Sequence, residues 1–385
     1  NNINNLIYFI LLALIGLYLI IYKRFVLDKF FVALALFNFI IIASAVFNGK
    51  FTSQVITMML LSATTFTVYQ FLILDRRNRE HFVSSLVIAG IGFIFYFILA
   101  YFREFFTFDF SNRLGDKFDN VNGVAQNLSI IVVTLLYLAM FHNKQYLYIF
   151  VALGLYSSFL TGSMWTNLVL LMTVVVLLHF KIPKGKRYII WLVLLGLAVL
   201  FIGLIHLPRF DYFKRRVYGF VNTLFGIETG SIDQSSSVRI ELIKEGFLTF
   251  LRKPLLGFGP DQFRYYSSFG SYAHNNIIEL MANYGGLGLL AFEFFLIFPL
   301  VNTWKTKAET GGMLVFILII NRTILQFNTV IYSSKILFFI FAFAFSSIYS
   351  ISDKSLIMEV KFNKQTQSEE FELPENIISQ KKNIQ

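Results

Sequence analysis

Cysteine is absent from the 385 residues, which removes disulfides, thiolate nucleophiles and thiolate metal ligands together. Charge is scarce as well: 14% of the residues are charged and 56% are hydrophobic, too apolar a balance for a soluble surface. The five histidines (His81, His142, His179, His206 and His274) are scattered, and no carboxylates converge on them at ligand spacing. No metal cluster is therefore expected. A Walker-type loop for ATP is also missing. The chain opens on Asn-Asn-Ile-Asn-Asn, with no charged n-region or small-residue cleavage site ahead of its first apolar run.

What is present is phenylalanine, 47 of them, with 19 tyrosines, in long apolar runs. A membrane crossing takes about 20 apolar residues. By that rule about eleven candidate spans start near Leu6, Phe30, Phe51, Phe82, Gly123, Tyr146, Met164, Tyr188, Ile277, Gly312 and Ile336. The fold class expected is all-α, a polytopic transmembrane helical bundle. The net charge of +11 reads as topology and contact with anionic lipid headgroups, and a nucleic-acid partner is not expected.

Lys and Arg crowd the odd-numbered short loops: Lys23, Arg24 and Lys29, then Arg76, Arg77 and Arg79, then Lys181, Lys184, Lys186 and Arg187. The positive-inside rule makes those loops and the C-terminal tail cytoplasmic. Asn1 then lies outside, and one further upstream helix, making twelve, gives a conventional cytoplasmic start. Four regions follow: an N-terminal bundle over 1–206 with an external loop at 102–122, an extracytoplasmic loop over 207–276, C-terminal membrane helices over 277–351, and a polar, flexible cytoplasmic tail over 352–385.

Candidate chemistry concentrates in the long external loop. Val238, Leu242, Ile243, Phe247, Phe250 and Leu251 recur at helical spacing after a run of serines, and Pro254 ends the pattern. The opposite face carries Arg239, Glu241, Lys244 and Glu245, so an amphipathic helix lying on the outer membrane surface is expected. Arg239 falls in its first turn, where the helix dipole disfavours a cation; a bound anion resolves that conflict. Gly257, Gly259 and Pro260 mark a turn.

Asn276 followed by Glu279 has the form of a capping box, which starts a helix at Ile277 and leaves His274 just ahead of a helix N-terminus. The positive end of that helix keeps His274 neutral near pH 7, the form a general base needs, and also attracts phosphate. An interfacial histidine with no task is the plainer alternative. Ala282 and Gly286 form a small-xxx-small pair pointing to close helix packing. Glu293 and Arg322 fall near mid-depth on consecutive spans and are expected to pair, as a structural clamp or as part of a transport pathway.

Four stretches, in order, resemble the O-antigen ligase and polysaccharide polymerase family of bacterial envelopes. Arg113 to Ala125 (RLGDKFDNVNGVA) is similar to its Arg, aromatic and Asn-x-Asn approach to a span, and Leu160 to Met164 (LTGSM) to its Thr-Gly-Ser-Arg element. Val238 to Phe263 resembles its Arg-led helix followed by Pro-Leu-x-Gly-x-Gly, and Ala273 to Leu290 its His-Asn and Gly-x-x-Gly segment. The resemblance implies a multi-pass glycosyltransferase of the bacterial plasma membrane. Such an enzyme works on the extracytoplasmic face without cofactor, metal or nucleotide sugar, taking glycan from an undecaprenyl-pyrophosphate carrier.

By position, His274 and Arg239 are the implied catalytic pair, with Arg113, Asn122 and Asn275 binding substrate. One position departs from the family: Met164 stands where it has Arg. Arg113 or Arg264 is then expected to serve the leaving group, and Arg264 is preferred because it shares the loop of the His-Asn segment. The expected reaction joins lipid-linked repeat units into a surface polysaccharide, alongside a flippase and a chain-length regulator of the same pathway. The alternatives are a ligase that moves finished glycan to another acceptor and, in a different class, a flippase or transporter of lipid-linked oligosaccharide.

Overall fold

Runs of Leu, Ile, Val and Phe with almost no internal charge satisfy their backbone polar groups within the segment, so each becomes a helix. The computed structural model describes residues 10, 13, 16–17, 20–21, 26–107, 113–118, 120–206, 214–215, 217–219, 234–306, 312–351 and 358–359. The candidate span near Leu6, most of the loop up to Asp233 and most of the tail lie outside the described residues.

The helices are α1 (Lys29–Phe47), α2 (Ser53–Leu74), α3 (Arg76–Ala100), the short α4 (Phe102–Thr107), α5 (Val121–Phe141), α6 (Leu147–Leu160), α7 (Met164–Lys181), α8 (Tyr188–Ile205), α9 (Gln234–Arg252), the single turn α10 (Phe263–Tyr266), α11 (Asn276–Thr306), α12 (Gly312–Leu325) and α13 (Lys335–Ile351). Every candidate span from Phe30 onward coincides with one of them. Among the described residues, six helices are long and apolar enough to cross a membrane: α1, α2, α3, α5, α7 and α11. α6, α12 and α13 are shorter apolar helices. The protein is an all-α polytopic membrane protein. Among the described residues one sheet is present, pairing Val26–Leu27 antiparallel with Met358–Glu359.

Helix α5 is the centre of the bundle and packs against α3, α6, α7 and α12. Its apolar residues from Val124 to Met140 are buried, whereas α3 and α8 expose Ile88, Leu99, Trp191, Leu192 and Leu195 around the periphery, as lipid-facing helices do. Polar groups cross between helices inside the core: Asn321 Nδ2 donates to Ser129 Oγ at 3.0 Å and to Thr173 Oγ1 at 3.2 Å.

Glu293 and Arg322 do not pair. Arg322, fully buried, donates from Nη2 to the Gln126 carbonyl at 3.1 Å, whereas the Glu293 carboxylate faces the Gln326 amide at 3.5 Å. Gln326 lies one turn beyond Arg322, just past the end of α12, so Glu293 meets an amide where a pairing with Arg322 was expected.

Helix α11 breaks at Gly285, with φ 69° and ψ −169°. The break frees backbone groups, and the run from Pro254 to Gly259 docks on them. Phe258 N donates to Ala282 O at 3.0 Å and Gly259 N to Asn283 O at 2.9 Å, while Gly286 N donates to Pro254 O at 2.7 Å. Gly286 therefore serves contact with a loop backbone, not the helix-to-helix packing its spacing suggested; Ala282 packs beneath α9. A Cβ on Gly285 would stand 2.2 Å from the Leu255 carbonyl oxygen, and its φ is left-handed. Gly285→Ala is expected to destabilise the protein by about 2 kcal/mol or more, read as a lower thermal midpoint in detergent.

Candidate functional site at one end of the bundle

Two polar clusters form at the end of the bundle where α5, α7 and α11 begin. The first gathers Arg113, Asn122 and the Thr161-Gly162-Ser163 turn. Arg113 Nη2 donates to Asn122 Oδ1 at 2.8 Å and Arg113 Nε to the Thr161 carbonyl at 3.1 Å. Ser163 Oγ donates to the same Asn122 oxygen at 3.1 Å. Asn120 caps α5 by accepting from Gly123 N at 3.0 Å, which fixes where Asn122 starts its turn. Tyr101 OH accepts from Gly115 N and Lys117 N, both at 2.8 Å, and donates to Asp116 at 2.6 Å, anchoring the loop that presents Arg113. Met164 is the first residue of α7 and packs its thioether against the apolar core.

The second cluster is built on α9 and the start of α11. Val238, Leu242 and Ile243 of α9 pack with Phe263, Ala273, Ile278 and Ala282, so the amphipathic helix seats its apolar face on the protein and leaves Phe247 and Leu251 exposed. A Cβ on Gly246 would meet Ile278 at 2.2 Å, which shows how closely the two helices approach. Because α9 begins at Gln234, Arg239 lies in its second turn, past the reach of the helix dipole expected from a start at the serines. Its guanidinium Nη1 instead donates to the Asn328 side-chain oxygen.

His274 sits just ahead of α11 with φ 52°, a left-handed conformation. Non-glycine residues take it at a cost of about 1–2 kcal/mol, and such outliers gather at functional sites. The cap of α11 is Asn275, one residue earlier than the spacing suggested: its Oδ1 accepts from Ile278 N at 3.1 Å. Glu279 accepts from Ala273 N at 2.7 Å and from Asn283 Nδ2 at 2.8 Å, closing the turn around His274. Asn276, released from capping, is fully buried and accepts from Ile331 N and Tyr332 N, both at 2.9 Å.

The Tyr272 ring lies against the imidazole at 4.1 Å between centroids, tilted by 42°. Burial, with the Arg239 charge second, holds the His274 pKa down at about 4 from its ordinary 6.5. His274 is therefore neutral at pH 7, as the sequence led one to expect, but burial and Arg239 are the causes found, where the helix dipole was expected. Because the folded pKa is depressed, the unfolded chain binds more protons between pH 6.5 and 4. Stability from this group is then complete above the ordinary value and is lost as pH falls toward 4. A reaction that uses the neutral ring is expected to keep its rate down to about pH 4–5, where a solvent-exposed histidine would lose it near 6.5; a pH–rate profile reads this directly.

Arg264, expected beside the His-Asn segment, pairs with Asp261 at the surface and lies over the Tyr265 ring at 5.4 Å. Asp261 therefore already meets its charge.

The segment from Gln326 to Tyr332, between α12 and α13, joins the two clusters and went unread in the sequence. Asn328 accepts from Arg239, Thr329 Oγ1 accepts from Gln126 Nε2 at 3.2 Å, and the Gln326 and Phe327 carbonyls accept from Asn276 N at 2.8 Å and Asn275 Nδ2 at 3.0 Å. Gln126 lies one turn along α5 from Asn122. The signal of the 326–332 segment was slight: an uncharged Gln-x-Asn-Thr between two apolar runs, with no charge before Lys335 at the start of α13.

A polytopic helical membrane protein that collects arginine, asparagine and a neutral histidine at one end is equipped to hold a polar, anionic substrate at a membrane edge. Residues 147–292 match the family model described as O-Antigen ligase. The matched stretch contains Thr161 to Ser163, Arg239 and His274, and it supports assignment to the O-antigen ligase and polymerase family of glycan-transferring membrane enzymes. No curated protein matches the chain.

Proposed function

We propose that the protein is a polysaccharide polymerase of the bacterial plasma membrane, acting on its outer face and transferring glycan from an undecaprenyl-pyrophosphate carrier to a sugar hydroxyl of a lipid-linked repeat. The observation that carries this reading is the neutral, left-handed His274 placed where the Arg239 charge reaches it.

In the proposed reaction a ring nitrogen of His274 takes the proton of the acceptor hydroxyl. The oxygen attacks the anomeric carbon, and the bond from that carbon to the pyrophosphate breaks with its electron pair leaving on the carrier. Direct displacement inverts the anomeric centre. Negative charge grows on the departing pyrophosphate, so fixed guanidinium groups stabilise the transition state more than the bound donor. Arg239 meets that charge from α9. Arg113, held by Asn122 and the Thr161 carbonyl, supplies a second cation from the other cluster and takes the place of the arginine that Met164 lacks. Asn122 and Asn275 offer amide groups to sugar or phosphate oxygens. Arg264, paired with Asp261 and with its charge reaching Glu279 of the His-Asn segment, offers a further cation to the leaving group, and Arg264→Ala is expected to lose activity.

The ligase reading is favoured by the description of the matched family model. The two separate on acceptor: purified protein given only lipid-pyrophosphate-linked repeats yields a ladder of longer glycans if it is a polymerase. A ligase leaves those repeats unextended until a different acceptor is added. The transporter reading drew on the ionisable Glu293 and Arg322 within the membrane helices and on the lack of a dense catalytic cluster; it is sunk if the purified protein in detergent transfers glycan, and favoured if none is transferred with any candidate acceptor.

A further inference from the structure

The run from α10 into α11 carries four exposed aromatic rings, Tyr265, Tyr266, Phe269 and Tyr272, on a backbone that is pinned in place. Ser267 N donates to Phe263 O at 3.0 Å, Phe269 N to Ser267 Oγ at 3.2 Å and Gly270 N to Ser267 O at 3.1 Å. Ser268 N donates to Glu245 Oε2 of α9 at 3.0 Å, and Ala273 N to Glu279 Oε2 at 2.7 Å. Both ends of the loop are thereby fixed. A Cβ on Gly270 would meet nothing within 4 Å, so the middle of the loop stands clear of the rest of the protein.

Tyr272 differs from the other three in its neighbours. Its ring lies 4.1 Å from the His274 imidazole, and the charges of Arg239 and Glu279 reach its hydroxyl, yet 45% of its surface is open. A phenol has an apolar face and a polar tip, which a sugar complements with C–H groups on its faces and hydroxyls on its rim. A hydroxyl that gives its proton to a His274 nitrogen comes within about 2.6–3.2 Å of that nitrogen. The sugar bearing the hydroxyl then lies beside Tyr272. The donor sugar makes no such demand, because its pyrophosphate is met by Arg239 and its anomeric carbon is reached through the acceptor oxygen.

We propose that Tyr272 forms the acceptor subsite: the sugar that receives the glycan stacks on the exposed part of its ring, with the hydroxyl to be glycosylated against His274. This rests on the reading of His274 as the base of a glycan transferase.

The test uses the full chain in detergent, with a lipid-pyrophosphate-linked oligosaccharide as donor and the repeat unit on a short alkyl aglycone as acceptor. The alkyl glycoside accepts glycan and has no pyrophosphate to lose, and only product bearing the alkyl group is counted. Donor KM, acceptor KM, kcat and thermal midpoint are measured for the parent, Tyr272→Ala and Tyr272→Phe. Tyr272→Ala is expected to raise acceptor KM by about tenfold or more and to leave donor KM within about twofold of the parent. Tyr272→Phe keeps the ring and is expected to raise acceptor KM by less than alanine does. Should the alanine variant lose folded protein, Tyr272→Leu fills more of the space without an aromatic face and is expected to show the same split.

An acceptor KM unmoved without the ring overturns the proposal. A fall in kcat alone then makes Tyr272 a prop for the imidazole, and parent kinetics make it a contact with the lipid surface. Equal rises in donor and acceptor KM overturn it too. Failure of the parent protein to transfer glycan to any acceptor overturns the transferase reading instead, so the two failures are distinguishable.

Discussion

Replacing His274 by asparagine is expected to lower the glycan-transfer rate by about 10²- to 10⁴-fold, the usual worth of a general base, while the folded protein stays as stable as the parent. The separation of the two effects comes from the backbone. His274 has φ 52°, and asparagine occupies that region readily, so the turn between Ala273 and the Asn275 cap survives the change. Lost with the ring are the proton acceptor and the contact with Tyr272 at 4.1 Å. His274→Gly is expected to fold at least as well, because glycine adopts left-handed φ without strain, and to be as inactive. The imidazole is the one feature that neither asparagine nor glycine reproduces at this backbone position. Circular dichroism and thermal unfolding in detergent, run beside the transfer assay, check both halves of the result.

Arg239→Gln is expected to reduce transfer by about 10²- to 10³-fold, the loss seen when one preorganised group facing developing charge is removed. Glutamine keeps a donor near the Asn328 oxygen, so the link between α9 and the 326–332 segment is retained in kind and the charge alone is deleted. The deletion carries a second signature. The Arg239 charge helps hold the His274 pKa down at about 4, behind burial, so its removal shifts the acid limb of the pH–rate profile upward. A lysine at this position restores charge without the planar fork and is expected to recover only part of the rate. If glutamine weakened transfer only as much as it lowered the thermal midpoint, Arg239 would be a structural tie to Asn328 and nothing more.

The positions of the helices were legible because hydropathy and length determine a span almost by themselves: each run from Phe30 to Ile336 became a helix where the apolar pattern put it. The pairing of Glu293 with Arg322 was not legible for a related reason. Hydropathy gives the depth of a residue and says nothing of which polar neighbour is within reach there; Glu293 meets the Gln326 amide and Arg322 the Gln126 carbonyl. The nearness of Arg113 and Asn122 was implied by motif resemblance; the Thr-Gly-Ser turn beside them was not, since 48 residues separate Arg113 from the Thr161 carbonyl it binds and no local pattern links them.

His274 was legible as a neutral imidazole, but the cause of its neutrality was not. A pattern of residues suggests a helix end nearby, whereas burial and an arginine from α9 require the tertiary fold. The serines around 235–237 suggested a later start for α9 than Gln234, and so moved Arg239 into a first turn it does not occupy. Gly286 read, with Ala282, as a helix-packing pair because that spacing is the same whether a helix or a loop backbone approaches. The 326–332 segment stayed hidden because it is short, uncharged and free of glycine and proline, and its importance lies entirely in what the fold brings to it.

The most direct test of the central claim follows the leaving group. Purified protein in detergent is supplied with a lipid-pyrophosphate-linked oligosaccharide, and free polyprenyl pyrophosphate is quantified by phosphorus NMR alongside the glycan product. The account predicts one polyprenyl pyrophosphate released for each glycan transferred, an inverted anomeric centre in the new linkage, and both products formed about 10²-fold or more slowly with His274→Asn. Glycan transfer that proceeds at the parent rate in that variant, or retention of anomeric configuration, would contradict it.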